Sequence, residues 1–204
     1  MARHVGIMGG TFNPIHIGHL IVAQEALVRY DFDMVYFIPN QIPPHRQLDP
    51  ELAGGEDRYI MVNLATATNP RFLASRMEID HRGVSYTLET VKTIKEKHPS
   101  MDVTFITGVD SILKDRWCGF DELLGFLKYF VCATRPGFDE NLLEKRLDSY
   151  ELGHRGRVAL LKIPGVDISS TLIRRRVKEG KPIKYMVTGE VESFIYKKHL
   201  YMGD

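Results

Sequence analysis

The 204-residue chain carries 27 basic and 26 acidic side chains, and a net charge of +1 excludes nucleic acid or an anionic membrane held by bulk charge. Its 44% hydrophobic and 26% charged content suits one buried core, and no apolar run approaches the roughly 20 residues that cross a bilayer. Cys118 and Cys132 lie outside any Cys-x-x-Cys pattern and no apolar leader follows Met1, so the expected location is a reducing cytoplasm.

In chain order, buried-strand patterns are expected near 4–9, 33–38, 71–79, 103–107, 128–133 and 158–163. Helical periodicity falls between them, at 17–30, 57–68, 87–97, 120–127 and 140–149. Strands that alternate with helices argue for an α/β fold, a doubly wound parallel sheet with right-handed crossovers. Its ligands are then expected beyond the strand ends, where Gly9-Gly10, Pro39-Asn40, Gly108-Val109-Asp110 and Thr134-Arg135-Pro136-Gly137 stand. After the last strand two helices, 170–178 and 189–199, follow each other, separated at Gly180-Lys181-Pro182. We therefore expect a nucleotide-binding catalytic core over 1–168 and a small C-terminal helical appendage over 169–204.

The first strand ends in Gly9-Gly10-Thr11-Phe12, and a helix starts close to His16. Glycines let the backbone approach a ligand, and amides at a helix start attract anions. His16 and His19 are three apart, which puts both imidazoles on one helix face, able to donate to phosphate oxygens. A zinc site is disfavoured, because neither a nearby cysteine nor a His-Glu-x-x-His pattern accompanies the pair. A second segment, Ile168-Ser169-Ser170-Thr171-Leu172-Ile173-Arg174, opens a helix with hydroxyls and places Ser170, Thr171 and Arg174 three or four apart. Such a start is either a cap or a grip for a triphosphate tail.

These two segments resemble the paired signatures of the nucleotidylyltransferase superfamily. The first matches the Gly-x-Thr/Phe-x-Pro-x-His-x-Gly-His pattern, with Asn13 where relatives usually carry Asp; the second matches Ile-Ser-Ser-Thr-x-Ile-Arg in full. Asn13 removes a negative charge near the expected phosphate site and argues against a metal-ligand role at that position. Two further stretches, Asn40-Gln41-Ile42-Pro43-Pro44-His45-Arg46 and Ser85-Tyr86-Thr87-Leu88-Glu89-Thr90, narrow the resemblance to nicotinate mononucleotide adenylyltransferases, with Arg46 in place of the usual lysine.

The resemblance implies a Rossmann-like fold and transfer of the adenylyl group of ATP to nicotinate mononucleotide. ATP contacts are then expected at Gly9, Gly10, Thr11, Phe12, His16, His19, Gly108, Asp110, Arg135, Ile168, Ser170, Thr171 and Arg174, of which His16, His19 and Arg174 are catalytic. The acceptor is expected at Asn40, His45, Arg46, Ser85, Tyr86, Thr87, Asp110, Trp117 and Arg135, with Trp117 stacked on the pyridine ring. Magnesium is expected to arrive with the ATP phosphates, with no metal ligand from the protein. Neither nucleic acid nor membrane is expected as a partner, and a homodimer is left open. The alternatives are an enzyme preferring nicotinamide mononucleotide or another phosphate acceptor, and a nucleotide-binding module without catalysis.

Overall fold

The computed structural model describes residues 3–43, 49–81, 83–114, 117–134, 137–148, 150 and 155–203. Six strands, β1 (His4–Gly10), β2 (Met34–Pro39), β3 (Phe72–Ala74), β4 (Asp102–Gly108), β5 (Tyr129–Thr134) and β6 (Val158–Lys162), form one parallel sheet in the order β3-β2-β1-β4-β5-β6. The order reverses between β1 and β4, which is the switch point of a doubly wound sheet. The α/β, Rossmann-like expectation holds.

β1, β4 and β5 each carry four or more consecutive buried residues, so side chains on both faces are covered there, as parallel strands require. Val103, Phe105, Ile106, Phe130, Val131 and Cys132 are all buried in the β4-β5 pair, and each large apolar side chain contributes roughly 1.5–3 kcal/mol on burial. Burial also pushes the Cys132 thiol up to about 12, leaving it inert as a nucleophile.

Helices α1 (Ile17–Arg29), α2 (Gly55–Thr66), α3 (Thr87–Lys97), α5 (Phe120–Phe126) and α6 (Glu140–Leu147) follow the expected pattern within two residues or so at most ends. A helix α4 (Val109–Lys114) lies where only a strand-end loop was expected. Its six residues are too few to show a helical period. The expected strand at 71–79 contracts to Phe72–Ala74. Beyond it the chain turns: the Asp80 amide closes on the Arg76 carbonyl at 2.9 Å, and the exposed Arg76 guanidinium forks onto Glu56 through two 2.9 Å bonds and also bonds Asp80. The C-terminal helices α7 (Ser170–Lys178) and α8 (Gly189–Lys197) appear as expected, and Gly180 ends the first at φ +66°.

The chain packs as two compact units, each discontinuous in sequence. One comprises Met1–Gly9, Val22–Tyr36 and Tyr86–Gly165, in which α3 packs on α5 and α4 on α6. The other comprises Gly10–Ile21, Phe37–Ser85 and Val166–Asp204, in which α2 packs on α8 and β3. The C-terminal helices and the glycine-histidine turn thus belong to the same unit.

Candidate active site

The turn after β1 is crowded at its glycines. A Cβ on Gly9 would meet the Phe105 ring at 3.0 Å, and one on Gly10 would meet the Phe12 ring at 3.3 Å. Phe12 itself sits at φ +47°, a left-handed conformation that costs a non-glycine residue energy and marks a turn held by its surroundings. Its buried ring lies edge-on to His19 with centroids 5.1 Å apart.

His16 and His19 meet as expected. Their ring centroids are 3.8 Å apart at a 34° tilt. The His16 backbone N–H donates to Nδ1 of His19 at 3.2 Å, and the His19 N–H donates to the His16 carbonyl at 2.9 Å. The first bond is one half of a capping box, with an imidazole in the place of the usual Glu or Gln, and the second is a backbone turn bond. Because Nδ1 of His19 accepts, the neutral ring carries its proton on Nε2. Gly18 makes room for this: a Cβ there would stand 3.0 Å from Nδ1 of His16. Burial first, and the adjacent His16 second, hold the His19 imidazole well below its usual range. His19 is therefore a neutral donor at pH 7, rather than a fixed positive charge.

The segment that opens α7 divides its labour in a way that spacing alone does not reveal. Ser169 is the cap of α7, its hydroxyl accepting from the Leu172 N–H at 3.2 Å. Ser170 instead donates to the Pro14 carbonyl at 2.8 Å, and Thr171 stands exposed in the first turn. Buried Arg174 donates to the Asn13 carbonyl at 3.0 Å and pairs with Glu51 at 3.1 Å. Ile168, half-buried, presents its carbonyl 3.8 Å from a Cβ built on Gly18. The structure thus brings Ser170 and Arg174 onto the turn that leads into His16.

Asn13 does more than replace a charge. Its Nδ2 donates to the Glu51 carbonyl at 2.9 Å, and its Oδ1 accepts from the Ala53 N–H at 3.1 Å and from the Tyr201 hydroxyl at 2.8 Å. A buried amide with donor and acceptor both engaged ties this turn to the 49–53 segment and to the C-terminus.

In the same unit, Asn40 follows β2, and its N–H donates to the Gly10 carbonyl at 3.1 Å. Ser85 is buried; its hydroxyl accepts from the Gln41 N–H at 3.1 Å, while its own N–H donates to the Ile42 carbonyl. Arg58 was not anticipated. It is 0% exposed on α2, and its guanidinium donates to the carbonyls of Ala53, Thr11, Asn40 and Gln41 over 2.6–2.9 Å. The sequence does carry a trace of it: Arg58, Met61, Val62 and Ala65 share one helical face, and the last three are core residues.

In the other unit, Tyr86 caps α3 in extended backbone without a side-chain cap bond, and its side chain is 45% exposed. The first amides of α3, from Thr87 on, are therefore left without a side-chain acceptor from the cap residue, which favours an anion. Gly108 is exposed at the end of β4, with nothing within 4 Å of an added Cβ, and Asp110 is exposed in the first turn of α4. Trp117 is half-buried, edge-on to Phe105 and Phe130 at 5.5 and 5.1 Å, with its indole N–H on the Ser111 carbonyl at 3.3 Å. His45, Arg46 and Arg135 lie outside the described residues. Among the described residues, no group of three or more His, Cys, Asp or Glu side chains could hold a metal ion. No described helix is long and apolar enough to cross a membrane.

A cytidylyltransferase-like family model matches residues 7–176. A protein of Moorella thermoacetica is 45% identical over 199 residues, covering 97% of this chain and 91% of its own, and bears the name "Probable nicotinate-nucleotide adenylyltransferase". One of the same name from Symbiobacterium thermophilum is 43% identical over 205 residues, covering 99% and 96%. The chain belongs to the nicotinate-nucleotide adenylyltransferase family. The fold is shared with more distant members: the nicotinic acid mononucleotide adenylyltransferase of Plasmodium falciparum, solved with APC, superposes with a TM-score of 0.76 at 21% identity over 98% of this chain and 97% of its own.

Proposed function

We propose that this chain transfers the adenylyl group of ATP to nicotinate mononucleotide, giving nicotinate adenine dinucleotide and pyrophosphate in NAD biosynthesis. The observation that carries the reading is the His16–His19 pair, 3.8 Å apart at the start of α1, in a chain whose relatives across 97–99% of its length bear the name of this activity. A nucleotide-binding module without catalysis has no need of two imidazoles set side by side at such a turn.

In this reading an oxygen of the acceptor's 5′-phosphate forms a bond to the α-phosphorus of ATP. The bond from that phosphorus to the α,β-bridging oxygen breaks, and its electron pair leaves with pyrophosphate. The acceptor phosphate is already ionised near neutral pH, so no general base is required. The protein's task is to hold two polyanions in line and to stabilise the charge that moves onto the leaving group. Neutral His19 does so through the Nε2–H that its Nδ1 bond to His16 leaves free to point at a ligand. The backbone from Gly9 to Phe12, the first turn of α7 with Ser170 and Thr171, and Arg174 serve the ATP phosphates. Glu51, 53% exposed on its side chain, is an anion on Arg174 that a phosphate can displace.

The acceptor falls to Asn40, Tyr86, Thr87, Asp110 and Trp117, the open amides of α3 taking the nicotinate carboxylate. His45, Arg46 and Arg135 are assigned to substrate by the motif match. Magnesium fits this donor set only as a companion of ATP, because Asn13 is committed to Glu51, Ala53 and Tyr201 and the described residues hold no acidic cluster. When bound it offsets phosphate charge. Two free cysteines suit a reducing cytoplasm.

Initial rates of pyrophosphate release, with ATP and either nicotinate or nicotinamide mononucleotide, test the assignment. Nicotinate mononucleotide should react with the higher kcat/KM. Equal or reversed rates would remove the carboxylate role given to α3, and no release with either would revive the binding-module reading.

A further inference from the structure

Arg58 is a buried cation with an unusual set of partners. It is 0% exposed, and among the described residues every hydrogen bond it makes goes to a neutral oxygen: the Ala53 carbonyl from Nε at 2.9 Å, the Thr11 and Asn40 carbonyls from Nη1 at 2.9 and 2.6 Å, the Asn40 side-chain oxygen at 3.3 Å, and the Gln41 carbonyl from Nη2 at 2.8 Å. Burying a guanidinium is costly unless its donors are satisfied, and carbonyls without a countercharge recover less than a carboxylate does. Apolar packing like that of its neighbours Met61, Val62 and Ala65 on the same face would leave four backbone carbonyls without their donor. What the arginine supplies that packing cannot is a rigid planar fork with fixed directions.

The four carbonyls come from segments with different proposed duties. Thr11 belongs to the turn assigned to ATP, Asn40 and Gln41 to the segment assigned to the acceptor, and Ala53 to the segment that Asn13 and Arg174 also grip. Resting on the function proposed above, we infer that Arg58 is a positioning residue that fixes the register between the ATP turn and the acceptor segment through its guanidinium fork. In-line transfer is sensitive to such register, since a misplacement of about 1 Å costs on the order of 100-fold in rate. Binding of ATP by itself does not need the acceptor segment.

This predicts a split between chemistry and binding. Arg58→Lys keeps the charge and can reach the Thr11 and Asn40 carbonyls, but it cannot also span to those of Ala53 and Gln41. The folded variant should lose at least tenfold in kcat, while the dissociation constant for ATP alone, measured by calorimetry without acceptor, stays within threefold of the parent. Unchanged kcat in a folded variant would overturn the inference. So would losses of kcat and ATP affinity that run in parallel, because that is the mark of general loosening. If Arg58→Lys does not fold, hydrogen exchange of the parent decides. The Asn40 amide, bonded to Gly10, and the Ala53 amide, bonded to Asn13, should show protection within about tenfold of each other, as two segments held by one fork must. A difference above 100-fold would refute a shared anchor. Absence of turnover in the parent itself would count against the proposed function, so the two failures are separable.

Discussion

Tyr201→Phe removes one hydroxyl 188 residues away in sequence from the turn it supports. In the parent that hydroxyl donates to Oδ1 of Asn13 at 2.8 Å, and burial raises the phenol above its usual range, so it remains a neutral donor at any physiological pH. Oδ1 keeps its bond from the Ala53 N–H after the change, so nothing buried is left wholly unsatisfied on the Asn13 side. The loss is then the net value of one buried hydrogen bond, about 1 kcal/mol. For a chain of this size that lowers the melting temperature by about 2–4 °C.

Asn13→Ala removes three bonds, to the Glu51 carbonyl, the Ala53 N–H and the Tyr201 hydroxyl, and should cost about 3 kcal/mol. The double variant completes a cycle by urea denaturation. In the Asn13→Ala background, Tyr201→Phe should cost close to nothing, giving a coupling of about 1 kcal/mol. If Tyr201→Phe costs the same in both backgrounds, the hydroxyl bond carries no stability and the account of Asn13 as the tie between the turn and the C-terminus is wrong.

Two further expectations concern His19. His19→Ala should lower kcat by roughly 100- to 1000-fold, the usual cost of one preorganised donor to a charge that develops in the transition state, with the circular dichroism spectrum unchanged; near-normal turnover would remove His19 from the mechanism. Its ionisation should also appear in stability. The folded-state value lies below the unfolded one, so as pH falls below about 6.5 the unfolded chain takes up a proton that the folded chain refuses. Stability present above that pH is lost on acidification, by at most about 1.4 kcal/mol per pH unit from this group. Urea midpoints at pH 7.5 and 5.5 should differ less in His19→Gln than in the parent, and an equal difference in both would contradict the depressed ionisation.

Much of this architecture is legible in one dimension. The strand and helix alternation follows from apolar periods, and the meeting of His16 with His19 follows from a spacing of three at a helix start. The limits are equally physical. β3 stops at Ala74, and soon after it the Asp80 N–H closes a turn on the Arg76 carbonyl, a backbone bond that leaves no mark on the apolar pattern. Local spacing marks Ser169, Ser170 and Thr171 alike as cap candidates, yet only Ser169 caps, because Ser170 is drawn to a carbonyl 156 residues earlier. Arg58 and Asn13 act through backbone carbonyls and amides, whose positions depend on the fold and not on residue identity. Trp117 is legible as an aromatic, but its edge-on packing with Phe105 and Phe130 arises only when β4 and β5 pair.

The central claim is that the bond broken lies between the α- and β-phosphates, with the His16–His19 pair on the departing side. ATP labelled in separate experiments at the α- and at the γ-phosphorus, with nicotinate mononucleotide as acceptor, follows that bond directly. The account predicts α-label in the dinucleotide and γ-label in pyrophosphate. Transfer of γ-label to the acceptor, or its release as inorganic phosphate alone, would contradict it.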